Sequence, residues 1–446
     1  MHCVRPRLMR CPMAVLVVWL FCVAEPVVAQ EPEPSTEADG SGSSVLEGDL
    51  AADSDVPGVE LVRGLRLSGF VQAQYSANQL SEDQLANGGI PLNRDRFVLR
   101  RARVRLDYAG AWSSAQLELD GNTNRGAAMS IRRGNVGVWF GGESPRNAAL
   151  RIRLGLTEVP FGSELRMGQE ELLFMERSAG SIAYFGGPTD TGVRVNGELG
   201  AFRYDVAVQN GTPVDDFGGG FSSDPTRAPD VAFRFGVEPA AAGPVAVEAG
   251  LSGLTGTGFS PGTDAGKPRV EWRDLNENES LDTGELVAIP GRGAVPSYTY
   301  RRWAAALDAQ AVLLTAGGET RVNAEASIAS NLNRGAGALD PLVAGYDIRH
   351  SHWLVSLTHQ WNVLLLGARY DVFDPDSDLL DDRRGFRVPQ DARVRTISAL
   401  AGVRVRDVGR FMLQYDAIQD RLGRDASGVP TDIRNNVWTL RLQGEF

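Results

Sequence analysis

Three features of the 446-residue chain predict an all-β fold, a sixteen-stranded antiparallel transmembrane β-barrel. Apolar and polar residues alternate with period two in short segments throughout 61–446, which is the pattern of strands with one face to lipid and one to a polar lumen. The linkers between the segments are alternately short and long, as expected of short periplasmic turns and long extracellular loops. No run of roughly 18 apolar residues follows the amino-terminal segment, which excludes helical membrane spans.

The first 29 residues read as a secretory signal. Arg5, Arg7 and Arg10 precede an apolar stretch over 11–23, and Val27-Val28-Ala29 supplies small residues for cleavage before Gln30. All three cysteines (Cys3, Cys11 and Cys22) lie inside that signal. The exported chain therefore has no disulfides, thiolate chemistry or cysteine metal site. Residues 30–60 are rich in Pro, Ser, Gly and acids, too polar to fold alone, and are expected to form a disordered acidic periplasmic leader.

Formal charge is −11, of which the first 29 residues carry +2. Residues 30–60 hold nine acids and no base, which leaves about −4 on 61–446. The acidity is thus a property of the leader, and this balance does not suggest nucleic-acid binding. Lys267 is the one lysine.

The barrel is expected over 61–446. Its first strand covers 65–75 and its second 97–108 (FVLRRARVRLDY). With period two, Val98, Ala102, Val104, Leu106 and Tyr108 point to lipid, and Leu99, Arg101, Arg103, Arg105 and Asp107 to the lumen. Arg100 falls in the apolar row. An arginine at mid-bilayer costs roughly 2–4 kcal/mol, so it is placed near the membrane interface.

Alternation marks the following strands around Leu117, Val138, Ile152, Val193, Val206 and Phe233, then around Val247, Leu307, Ala324 and Val355. The last four lie around Leu366, Ala401, Leu413 and Leu440. Residues 253–299 form a long extracellular loop in this reading. In the final strand Trp438, Leu440, Leu442 and Phe446 share one face. An aromatic carboxy-terminal residue is common among outer-membrane proteins, where the assembly machinery reads that end.

Over 65–212 the chain resembles the phosphate-selective porin O and P family. The resemblance is carried by Gly69-Phe70-Val71-Gln72, Arg100-Arg101-Ala102-Arg103-Val104, Leu154-Gly155 and Pro160-Phe161-Gly162. Glu176-Arg177, Gly192-Val193 and Asn210-Gly211 extend it. It implies a homotrimer in the bacterial outer membrane, an arginine ladder in each lumen and an inward-folded third loop. Lysines near the pore entrance help to define phosphate selection in some members. Lys267 lies in a different loop, so phosphate selectivity is not carried over.

Lumen-facing arginines recur at Arg66, Arg101, Arg103, Arg105, Arg151, Arg153, Arg194, Arg203 and Arg234. A guanidinium column offers successive forked donors to small anionic solutes. Alternatively the same arginines pair with Asp107, Glu118, Asp120 and Asp205 and stiffen the wall. The third loop, expected over 158–187, carries Glu158, Glu164, Glu170, Glu171 and Glu176 against Arg166 and Arg177. Folded inward, its acids face the arginines and form a constriction with a transverse field, or tie the loop to the wall.

Residues 274–285 (DLNENESLDTGE) place Asp274, Asn276, Asn278, Ser280, Asp282 and Glu285 at the spacing of a calcium loop. Glu279 stands where such loops carry glycine, and a solvated acidic loop is the alternative. His350 and His352 have no third ligand nearby in sequence, and no hydrolase, P-loop or zinc-protease motif occurs. A required cofactor and an enzymatic activity are not expected. The expectation is a passive outer-membrane porin in contact with lipid. The alternatives are a structural or adhesion barrel with an occluded lumen, and a secreted all-β binding protein.

Overall fold

The computed structural model describes residues 58–446 apart from 80–81, 84–89, 92–94, 125, 215–227, 240–242, 261, 263, 275–279, 333–340, 382–386, 406–408, 422, 425–429 and 434. The signal expected over 1–29 and most of the leader lie outside the described residues.

Sixteen antiparallel strands close into one barrel. They are β1 (Leu65–Asn78), β2 (Arg96–Ala109), β3 (Ser113–Asn122), β4 (Ala128–Phe140), β5 (Leu150–Glu158), β6 (Thr189–Leu199), β7 (Phe202–Gln209) and β8 (Asp230–Val237). The second half comprises β9 (Val245–Ser260), β10 (Tyr298–Thr315), β11 (Gly318–Ser330), β12 (Arg349–Trp361), β13 (Leu364–Asp374), β14 (Val394–Val405), β15 (Gly409–Gln419) and β16 (Val437–Glu445). Each strand pairs with its sequence neighbours. β1 closes the circle by pairing with β2 on one side and β16 on the other, Phe70 opposite Glu445 and Asn78 opposite Val437. Closure leaves the barrel no edge strand, which lets a sheet sit in lipid with its backbone groups satisfied.

Every barrel strand turns apolar side chains outward, for example Val71, Val136, Leu154, Leu307, Ile397 and Leu442. Exposed aromatics flank this belt. Trp112, Phe140 and Trp361 lie at the short-turn end, and Phe97, Trp353 and Trp438 toward the long-loop end. This is the lipid-facing girdle of a transmembrane barrel. The face shared by Trp438, Leu440, Leu442 and Phe446 points outward, and Phe446 exchanges two backbone hydrogen bonds with Gly69 (2.8 and 2.9 Å).

Two expectations are corrected. The leader was to run to Glu60, but Gly58–Val62 is a strand paired with the start of β1. It lies along β1 just beyond the point where Phe446 ends its pairing, so the open flank of β1 is what orders it. Arg100 does not face the membrane. A β-bulge opposite Gln72 and Ala73 inserts it as an extra residue, and both Arg100 and Arg101 turn into the lumen. Upstream of the bulge the faces exchange. Leu99 pairs with Ala73 on the outer face, and Val98 with Gln74 on the inner one. One extra residue shifts the period-two phase of everything before it. A second bulge opposite Glu118 and Leu119 does the same for Arg132 and Arg133 in β4.

Candidate functional site: the lumen and its inward loop

The inner face of β2–β7 is an ion-pair wall. Antiparallel register sets Arg103 opposite Asp120 and Arg105 opposite Glu118, and Glu118 in turn opposite Arg133. The Glu118 carboxylate lies 2.7 Å from Arg105, 3.1 Å from Arg133 and 3.4 Å from Arg103. Arg153 and Arg194 face each other across β5 and β6, a like-charge pair that is unfavourable unless an acid intervenes. Glu158 supplies that acid, 2.5 Å from Arg194, 2.6 Å from Arg133 and 3.4 Å from Arg153. Asp205 completes the set on Arg194. Further round, Arg203 pairs with Glu198 and Glu238, Arg234 with Glu248 and Asp308, and Arg302 with Asp230.

All nine arginines read from the sequence lie on the inner face. Arg66 sits at the short-turn mouth opposite Asp107, lining with Arg146 and Arg151 a cavity of about 390 Å³. Glu158 is the last residue of β5 rather than part of the loop, which spans 159–188.

Beside these pairs the inner face of β8–β11 also carries an apolar patch. Ala232, Leu254, Ala304, Ala306 and Ala329 point inward there and are buried. They have a partner because 159–188 folds into the barrel. Phe161, Leu165, Ala183, Tyr184 and Phe185 of this segment pack against those small side chains and against Phe373. A short helix, α1 (Ala179–Phe185), presents three of them. At the entry to the segment Gly162 has φ +61°, and a Cβ there would lie 2.5 Å from Glu325 Oε1. Glycine lets Glu325 accept from Ser163 N at 2.8 Å and Glu164 N at 3.2 Å.

The loop's acids bind the remaining wall. Glu164 accepts from Ser178 and Ser181 and lies 3.2 Å from Arg369 of β13. Glu170 lies 2.9 Å from Arg105, and its carbonyl accepts from Gln443 of β16 at 3.0 Å. Glu176 accepts from Arg100, Arg101 and Arg441. Arg177 turns inward on the loop itself, donating to the carbonyls of Glu164, Leu165 and Met167. Arg166 is buried.

Burial opposes ionisation of Glu164 and Glu176, but Arg369 with two hydroxyls, and the three guanidiniums respectively, hold both below the usual carboxylate range. At Glu171 the pull of Arg105 and Arg321 is outweighed. Burial and the adjacent Glu170 push its carboxyl up to about 7.

Sequence reasoning missed Arg100, Arg132, Arg133, Arg302, Arg369, Arg410 and Arg441 as lumen groups. Arg369 and Arg441 were legible, since each stands between two outward residues (Ala368 and Tyr370, Leu440 and Leu442). The two bulged pairs carried no signal in period two.

In the calcium-loop segment, Asn276 and Asn278 lie outside the described residues. The Glu285 carboxylate accepts from Trp272 Nε1 at 3.0 Å and Asp282 N at 2.9 Å, bracing the hairpin of Arg269–Trp272 and Leu286–Ile289. Among the described residues no group of three or more potential ligands forms a metal site. Asp274, Ser280 and Asp282 flank that turn in sequence. His350 Nδ1 donates to Pro375 O at 2.5 Å, and its Nε2 accepts from Leu332 N at 3.3 Å.

No family model matches the chain, and no curated protein matches it. Solved outer-membrane barrels do. OprB of Pseudomonas putida aligns at 12% identity with a TM-score of 0.52, covering 86% of this chain and 94% of that one. An anion-selective porin from Comamonas acidovorans aligns at 10% identity and 0.46, covering 86% and 99%. OmpF of Salmonella typhi, in complex with daunomycin, aligns at 12% and 0.49, covering 86% and 97%. The chain therefore shares the barrel fold of OprB.

Proposed function

We propose that this chain is a passive porin of the bacterial outer membrane, admitting small hydrophilic solutes with a preference for anions. One observation carries the reading. A continuous apolar belt surrounds an interior lined on one side by arginines and crossed by a loop whose acids sit on them. An apolar exterior asks for lipid, and a charged interior asks for water and ions. The guanidiniums are paired with acids of wall and loop, so the anion preference rests on exchange at the partly exposed Glu176 pairs rather than on a free ladder.

Kinship with the phosphate-selective porin O and P family, homotrimeric assembly, signal cleavage near residue 29 and reading of Phe446 by the assembly machinery belong to the same proposal. So does loop ordering by calcium at 274–285. No catalytic step is involved.

The test is the reversal potential of the purified protein in a planar bilayer across a KCl gradient. An anion-selective potential supports the proposal. A cation-selective one assigns selectivity to the loop's glutamates instead. One observation favours a second reading, a structural or adhesion barrel with an occluded lumen: the loop is fastened to both walls at once. Absence of conductance would decide for it.

A further inference from the structure

Glu176 differs from the other acids of the lumen. Glu118, Glu158, Glu164 and Glu170 are buried within their ion pairs, whereas the Glu176 side chain is 31% exposed. It belongs to the loop, yet its carboxylate is held entirely by strands. Arg100 grips it bidentately, Nε to Oε1 at 2.7 Å and Nη2 to Oε2 at 2.8 Å. Arg101 Nη2 adds a bond to Oε2 at 2.8 Å, and Arg441 Nη2 one to Oε1 at 3.0 Å.

Three guanidiniums thus converge on one carboxylate. Two of them are positioned without its help. Gln72 Oε1 accepts from Arg101 Nη1 at 3.1 Å, and Gln74 Oε1 accepts from both Arg441 Nε (3.2 Å) and Nη2 (2.7 Å). Gln72 is itself fixed to Gln443, Nε2 to Oε1 at 2.8 Å. Neutral amides therefore preserve the shape of the cage when its carboxylate leaves. The bulge in β2 is what makes the cage, because it turns two consecutive arginines to the same side.

We propose that Arg100, Arg101 and Arg441 form a binding site for small carboxylate solutes, which Glu176 occupies as a built-in competitor. The inference rests on the channel reading above and adds the solute class. A carboxylate entering the lumen exchanges with Glu176: its two oxygens take over the forked donors, and the loop carboxylate moves into water that already reaches it. The match is to a carboxylate because the cage is set around one, with bidentate geometry from Arg100.

The test is calorimetric titration of succinate into the detergent-folded barrel, for the unaltered protein, Glu176→Gln and Glu176→Gln with Arg441→Gln. Folding of each is verified by heat-modifiable migration on gels. A tethered competitor acts at roughly millimolar effective concentration. Its removal is expected to tighten succinate binding about tenfold, and the added Arg441→Gln to abolish that gain. Glu176→Asp, which keeps the charge on a shorter stem, should fall between, and it stands in should Glu176→Gln not fold. Equal binding by all variants would overturn the proposal, as would inorganic phosphate binding Glu176→Gln more tightly than succinate does. Because binding is read without current, the two readings fail separately. Succinate binding without conductance removes the channel and leaves the site. Conductance with no variant-dependent binding removes the site and leaves the channel.

Discussion

The arginine wall of β2–β7 and the apolar patch on β8–β11 do the same work by opposite physics. Both face the lumen, and both hold the segment 159–188. The first does so through charge, with Glu170 on Arg105 and Glu176 on Arg100 and Arg101, joined by Arg441 of β16. The second does so through packing, with Phe161, Tyr184 and Phe185 against Ala232, Ala304, Ala306 and Ala329. Small side chains on one wall make room for aromatic ones on the loop, and excess guanidinium on the other calls for its carboxylates. The difference also divides labour. The charged wall can exchange partners with solutes, whereas the apolar patch itself presents no donor to them.

The sharpest break of the comparison is on the charged side. Glu118→Ala leaves Arg103, Arg105 and Arg133 around a lost carboxylate. Removing one partner of a buried pair costs about 3–5 kcal/mol, so the urea midpoint of barrel unfolding in micelles should fall well below that of the unaltered protein. An unchanged midpoint would mean that water, not Glu118, balances these arginines.

Phe161→Ala is the matched change on the apolar side. Truncating a buried phenylalanine costs about 3–5 kcal/mol, here drawn from loop docking rather than from the strand ladder. Trypsin should then cleave after Arg166 or Arg177 while the barrel stays folded. Global unfolding without prior cleavage would show that loop and barrel form one cooperative unit. Gly162→Ala acts at the hinge between the walls. Placing a side chain at φ +61° costs roughly 1–2 kcal/mol, and displacement of Glu325 should add to it, giving a smaller rise in trypsin sensitivity.

pH separates the two sides more gently. Glu171, raised to about 7, binds a proton more readily in the docked loop than in a released one. Its contribution is full below the ordinary value near 4.5 and is lost as pH rises toward 7. Glu164 and Glu176, held low, contribute above that ordinary value and are lost as pH falls through their depressed values. Protease protection of the loop should therefore decline between about pH 5 and 7, and Glu171→Gln should flatten that decline. A decline that persists in Glu171→Gln would place the titrating group elsewhere. At the small end stands Arg349→Ala, which breaks a pair with Asp378 whose arginine is 69% exposed. Exposed pairs contribute about 0–1 kcal/mol, so no shift in midpoint is expected, and a clear one would reveal a network.

Much of this barrel was legible in the one-dimensional pattern. Sixteen strands and the inward direction of Arg103, Arg153 and Arg194 follow from period two, because a strand sends alternate side chains to opposite faces whatever surrounds it. The segment after Pro160 was legible as a long acidic loop, and its inward fold was implied only by the resemblance over 65–212. What period two could not reveal is where it breaks. The bulges that turn Arg100 and Arg132 inward are decided by register with β1 and β3, which exists only once strands are paired. Nor could it assign partners. Glu176 meets Arg441 across 265 positions of chain, and Phe161 meets Ala304 only because closure brings β10 opposite the loop. Local sterics write the strands and their faces into the sequence. The pairing of charges, the docking of the loop and the carboxylate cage arise from contacts between distant residues, and these the closed barrel alone decides.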